Sequence, residues 1–289
     1  MSSVDRSVVV TGVSTGLGHA IASDLMRNGF HVFGSVRKPE DANRLSAEFQ
    51  DRFTPLIFDV TDAEAIQVAA DQVAKALNGR TLAGLVNNAG VAVAGPLRYL
   101  PVDELKFQFD VNVYGLLRVS QAFIPLLGAD PAFSGAPGRI INMSSVHGEI
   151  AMPIFGPYSM SKHAVEAFSG ALRRELLGHG IDVVTVGPGA VKTPIWQKSD
   201  NLDIEQYKGT EYYDTFVGIR SAAKQLGETG LEPSEVSGKV VDILEGKEKG
   251  TRFAVVAKYL ADWLLPRILP QRLVDKKMTQ RMGFPSSYR

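Results

Sequence analysis

Cysteine is absent from the 289 residues, which removes disulfides, thiolate zinc sites, iron–sulfur clusters and a cysteine nucleophile in one step. Net charge is absent too. The 31 Lys+Arg cancel the 31 Asp+Glu, so no bulk field gathers polyanions and no nucleic-acid partner is expected. Long apolar runs are missing: the richest stretch, Tyr259 to Val274, is broken by Asp262, Pro266, Arg267, Pro270 and Arg272, and no run reaches the ~18 apolar residues of a spanning helix. Met1 to Arg6 leads into Ser7-Val8-Val9-Val10 without a basic segment, apolar stretch and cleavage site in succession. Secretion is not encoded there, and a cytoplasmic place is expected. The five histidines, His147 and His163 among them, form no metal-ligand arrangement, so no metal is expected.

What is present is the composition of a globular domain, 45% hydrophobic and 21% charged. At roughly 150 residues per domain, with α/β domains often longer, one domain over residues 1–289 is the simplest division. Short β-branched runs near 7–12, 31–36, 53–58, 82–87, 138–143, 181–187 and 252–256 alternate with helical periodicity near 17–28, 39–50, 62–77, 102–127, 157–178 and 233–246. That alternation predicts βαβ units. The strands read near-continuously apolar, as strands covered on both faces do. The expected fold is therefore α/β, a Rossmann-like three-layer α/β/α sandwich on a mostly parallel seven-stranded sheet. Two irregular additions remain, 194–230 and a C-terminal extension, 257–289.

Thr11-Gly12-Val13-Ser14-Thr15-Gly16-Leu17-Gly18 follows the first strand and opens the first helix. Amides and the helix dipole can hold a pyrophosphate there, and glycine lets backbone approach the ligand; a tight strand-to-helix turn is the plainer alternative. Where an acid at the end of the second strand would bond the ribose 2′-hydroxyl of NAD stands Val36, followed by Arg37. A guanidinium there can pair with a 2′-phosphate, which favours NADP over NAD, unless Arg37 and Lys38 are only a solvated loop pair. Tyr158 and Lys162, four apart on a helix, share one face. A nearby ammonium would favour the ionised form of a tyrosine whose pKa is ordinarily near ~10.

These motifs, with Asp59-Val60, Asn87-Asn88-Ala89-Gly90, Asn112, Ser145, Tyr158-Ser-Met-Ser-Lys162 and Pro188-Gly189 in order over about residues 7–194, resemble the short-chain dehydrogenase/reductase family. The resemblance implies that Gly12, Ser14, Thr15, Gly16, Leu17 and Gly18 hold the phosphates and that Asp59 and Val60 meet the adenine. It puts Asn88 and Gly90 along the ribose side and Val191 and Thr193 at the nicotinamide carboxamide, after Pro188. For Asn87 and Asn88 a turn bonding its own backbone is the alternative. Ser145, with Ser144 as competitor, would bond the substrate oxygen. Tyr158 would be the acid/base, Lys162 would lower its pKa and bond the ribose, and Asn112 would kink its helix and anchor a water near Lys162.

The activity so implied is hydride exchange between NADP(H), or NAD, and a lipophilic ketone, aldehyde or alcohol, of steroid or retinol type in the branch the chain most resembles. A non-catalytic dinucleotide-binding regulator and a nucleoside-sugar epimerase are the other readings. The resemblance makes the segment 194–230 a substrate lid, and its Ile195, Trp196, Tyr207, Tyr212, Tyr213, Phe216 and Ile219, with Val146, Met152, Ile154 and Phe155, suit an apolar substrate; alternatively its aromatics only pack it down. The tail's apolar and basic residues allow peripheral membrane contact, subunit packing or a lid role. The resemblance also implies a homodimer or homotetramer. Gly187 stands where relatives commonly carry Asn or an acid.

Overall fold

The computed structural model describes residues 6–194 and 204–284; Met1 to Asp5, Ile195 and Trp196 lie outside them. Seven parallel strands, β1 (Ser7–Val10), β2 (His31–Val36), β3 (Phe53–Ile57), β4 (Gly84–Asn87), β5 (Arg139–Met143), β6 (Asp182–Pro188) and β7 (Arg252–Val255), are ordered β3-β2-β1-β4-β5-β6-β7. Successive strand residues point to opposite faces. Val8 and Val10 therefore join the core packed on α1 (Gly16–Arg27), α2 (Pro39–Phe49) and α8 (Pro233–Leu244). Val9 joins the core packed on α3 (Ala63–Leu77), α5 (Gly115–Phe123) and α6 (Gly156–Glu175). All four residues of β1 are buried, which is why the run shows no polar alternation. The expected three-layer sandwich is what forms.

Helix boundaries follow local chemistry. Asp62 caps α3 by accepting the Ala65 amide at 3.0 Å, and Glu232 and Glu235 form a reciprocal capping box before α8. The stretch expected as one helix near 102–127 is α4 (Val102–Phe109), a π turn over Asp110–Tyr114, α5 and a short 3₁₀ turn begun by Pro125. Gly115 makes that geometry possible, since a Cβ there would come within 2.7 Å of the Val60 side chain.

The segment expected to be an irregular lid contains a helix, α7 (Tyr213–Thr229). Its buried residues build a third, separate core: Ile204, Tyr207, Phe216 and Ile219 with Ile154, joined by Met282 and Phe284 from the tail. The tail breaks where its prolines require. A π turn over Tyr259–Leu264 runs into α9 (Leu265–Ile268), which stops before Pro270, and α10 (Gln271–Arg281) begins just after it. Among the described residues no helix is long and apolar enough to cross a membrane.

Phe216 is 1% exposed at the centre of this third core. Phe216→Ala is expected to cost about 3–5 kcal/mol and to be felt first in its own cluster. Protease cleavage within 204–229 should accelerate, while cleavage in the sheet does not; equal acceleration in both would show that the cluster is not a separate unit.

Candidate active site

The sheet order reverses at β1, which pairs with β2 on one side and β4 on the other, and such a switch point opens a crevice at the carboxyl ends of the strands. The glycine loop lies there. Gly12 and Gly16 have φ of +72° and +62°, the left-handed region that glycine enters without penalty. A Cβ on Gly12 would sit 3.1 Å from Ala89 Cα, and one on Gly18 would collide with the Gly12 carbonyl. The first turn of α1 carries no acidic residue and Thr15 makes no side-chain cap, so it suits an anion. Leu17 instead packs its side chain on the core. Thr193 and Pro194, in the loop after β6, approach from across, with Thr193 Cβ 3.5 Å from the position of a Cβ on Gly16. The glycine loop and the loop after β6, with buried Val191, thus face each other across the crevice. These features fit a dinucleotide.

Two residues expected to meet the cofactor have side chains with partners inside the protein. The Asn88 amide donates to the carbonyls of Thr11 and Gly12 at 2.9 and 3.3 Å. It ties the residue after β4 to the glycine loop. Thr11 completes the tie, its hydroxyl oxygen accepting the Asn88 and Ala89 amides at 2.9 Å. The Val60 side chain is buried against Gly115, which leaves only its backbone for an adenine. Asp59 caps Thr61 through Oδ1 and faces Arg37 at 3.8 Å through Oδ2. Gly90 lies exposed beside Asn112.

Arg37 is 71% exposed. The sequence missed a second cation: Arg44, on α2, donates to the Ser14 carbonyl at 2.7 Å while pairing with Asp41 and Glu48. Thirty positions separate Arg44 from Ser14, and no spacing rule relates a residue on the second helix to the first loop; the only signal was a lone arginine on the polar side of α2.

At the reacting end Tyr158 and Lys162 lie on α6, and Ser145 follows β5. Lys162 is 7% exposed and donates to the Met143 carbonyl at 2.7 Å. Burial pushes its pKa down to about 8, opposed by the Glu166 carboxylate. Tyr158 differs from expectation. Its pKa is raised by burial, and the group that offsets the rise is Ser145, through a hydrogen bond, rather than Lys162; Lys162 Nζ lies 5.6 Å from the Tyr158 ring centre. The Ser145 hydroxyl accepts the amide of His147, whose ring packs on Tyr158, whereas the Ser144 hydroxyl lies toward Gly148 and Glu166. Ser145 also reaches the Pro188 carbonyl at 3.4 Å.

Asn112 stands inside the π turn, as a kink requires. Its amide is fully engaged, donating to the Val91 carbonyl and Ser161 hydroxyl at 3.0 and 3.1 Å and accepting the Val91 amide at 2.9 Å, so the side chain itself does not reach Lys162. Asn87 donates to Ser120 and Asn142, and its buried Oδ1 has no partner. Asn87, Asn112, Thr11 and Lys162 line a cavity of about 10 Å³, on the order of one water. Two further features were not legible in the motifs. His147 packs edge-on to Tyr158 and Phe155 at 5.5 and 5.7 Å. Ile154, four residues before Tyr158, has φ +67°, a strained state for a β-branched residue, held by its carbonyl accepting the Gly95 amide at 2.8 Å.

The description short chain dehydrogenase matches residues 6–203. The chain belongs to the short-chain dehydrogenase family. Its relatives in that family of oxidoreductases include the NADPH-dependent 3-dehydrocapnine reductase of Ornithobacterium rhinotracheale, 40% identical over 271 residues, 94% of this chain and 95% of that one. Retinol dehydrogenase 7 of Rattus norvegicus is 33% identical over 226 residues, 74% of this chain and 69% of that one. A crystal structure of a short-chain dehydrogenase from Streptomyces avermitilis matches with a TM-score of 0.76 at 27% identity, over 98% of each chain.

Burial, with His163 adding to it, lowers the pKa of His147 from 6.5 to about 4. The unfolded chain binds this proton below 6.5 and the folded chain does not, so the contribution to stability is full above pH 6.5 and lost as pH falls toward 4. The loss is about 3 kcal/mol. His147→Gln should flatten that slope in urea midpoints measured from pH 4 to 7; an unaltered slope would show that His147 titrates normally.

Proposed function

We propose that this short-chain dehydrogenase is an NADP(H)-dependent oxidoreductase that interconverts a lipophilic ketone or aldehyde and its alcohol. The observation that carries this is the gathering of Tyr158, Ser145 and the buried, Met143-anchored Lys162 at the strand ends that also hold the glycine loop. NADP is favoured by Arg37 and Arg44 at the end where β2 lacks an acid and Val36 is buried. It is supported by a relative named as NADPH-dependent. A retinol dehydrogenase among the relatives and the apolar surroundings of Tyr158, with Phe155 and an uncharged His147, support a lipophilic substrate.

Bound in the crevice, the reduced nicotinamide supplies the hydride. Tyr158, kept protonated by burial, donates its proton to the substrate oxygen, a poise that suits reduction. Ser145 donates a hydrogen bond to the same oxygen as negative charge grows on it. The Lys162 ammonium, anchored on Met143, supplies the positive charge beside them. A water in the Asn87–Asn112–Lys162 cavity would return a proton from bulk solvent. Pairing of two copies across α4, α5 and α6 belongs to the same proposal, supported by the exposed Phe107, Tyr114, Leu117 and Met160 there.

Tyr158→Phe should lower kcat for reduction by at least about 10²-fold and leave NADPH binding intact; retained turnover removes Tyr158 from its role. Arg37→Ala and Arg44→Ala should each weaken NADPH about tenfold or more and spare NADH, in fluorescence titrations. Equal losses for both nucleotides would contradict the 2′-phosphate assignment. Because Lys162 must stay charged and titrates at about 8, kcat/KM for reduction should fall as pH rises through that value.

A further inference from the structure

Gly187 of β6 leaves room for Arg252 beside Ser145. A Cβ there would lie 2.8 Å from Arg252 Nη2 and 3.2 Å from the Ser145 carbonyl oxygen. Through that gap Arg252 of β7 reaches two carboxylates, Glu149 at 2.6 Å and Glu166 at 3.3 Å. All three side chains are 17–18% exposed. Partly buried charges of this kind are stabilised by pairing with one another. Glu149 is completed from the tail: Arg267 pairs with it at 3.0 Å and the Trp263 indole donates to it at 2.6 Å, with Arg267 stacked 4.3 Å over the Trp263 ring. Glu166 stands four residues after Lys162, one turn along α6, on the same face.

We propose that Glu166 is a positioning residue for reduction: held by Arg252, its carboxylate keeps the neighbouring Lys162 ammonium charged, and the tail's Arg267 and Trp263 hold the ionic chain from outside. This rests on the catalytic role proposed for Lys162. The charged and titratable groups facing the pair are Tyr158 and His163 on α6, His147 and Glu149 after β5, Arg252 on β7 and Arg267 in the tail. Of these, Glu166 is the charge that opposes the desolvation of Lys162. Glu166 is itself pushed up by burial and drawn back by the Ser144 hydroxyl and Arg252. Without Arg252 the Glu166 carboxylate would be pushed up further and would weigh less against the desolvation of Lys162.

The test uses the full chain carrying lysine labelled with ¹³C at Cε, with the Lys162 signal assigned by its loss in Lys162→Met. In the parent protein that signal should titrate at about 8. Glu166→Gln should move it down by about one pH unit, Glu166→Asp should restore most of the difference, and Arg267→Ala should move it the same way by less. The basic limb of kcat/KM for NADPH-dependent ketone reduction should shift with it. A role confined to packing would lower activity evenly at every pH without moving either titration. An unmoved Lys162 signal in folded Glu166→Gln, or a moved signal without a moved limb, overturns the proposal. Parent protein that turns over no carbonyl would strike the proposed function instead, and the labelled signal would still decide whether Glu166 holds the charge of Lys162.

Discussion

A lysine ammonium taken out of water is the constraint around which the reacting end is arranged. Desolvating such a charge costs several kcal/mol unless partners replace the water. Here the Met143 carbonyl at the end of β5 accepts from it at 2.7 Å, the Glu166 carboxylate stands one turn along α6, and the Asn87 and Asn112 amides line a cavity beside it. Each comes from a different element. The parallel register of β4 and β5 and the seating of the first half of α6 over β5 are therefore required together. So is the π turn, which places Asn112 where it fastens Val91 and Ser161.

The cofactor end is organised by a second set of polar ties, across the reversal of strand order. Thr11 and Asn88 bond the end of β1 to the end of β4, and Ser35 holds the loop from β2 by accepting the amides of Gly12 at its hydroxyl and Val13 at its carbonyl. With the loop pinned from both sides, the glycines need supply only space and left-handed backbone. A pre-formed loop of this kind binds without an ordering cost. The two ends meet at the end of β4, where Asn87 lines the cavity shared with Lys162 and Asn88, just after it, bonds the glycine loop.

The β-branched strand runs made the sheet legible, because strands buried on both faces leave little room for another pattern, and the order of the short motifs made the crevice legible. Roles that depend on which way a side chain turns were not. Asn88 carries the family motif, and its amide bonds the glycine loop; Ser145 and Ser144 are adjacent and alike, and only the fold separates them, turning the second toward Gly148 and Glu166. Arg44 was hidden by sequence distance. The α7 helix was hidden by an aromatic-rich composition read as a lid, and its Phe216 buries with Tyr207 and Ile204, from the turn before it, into a core of their own. Ionic contacts such as Arg252 with Glu149 and Glu166 join residues too far apart in the chain for any periodicity to announce.

The most direct test of the central claim, that this crevice is built for a dinucleotide bearing a 2′-phosphate and is ready before substrate arrives, is a fluorescence titration of the folded wild-type protein with NADPH and with NADH at neutral pH. Saturable binding of both, tighter for NADPH by about tenfold or more, is the predicted result. A folded protein that binds neither nucleotide, or that prefers NADH, would contradict it.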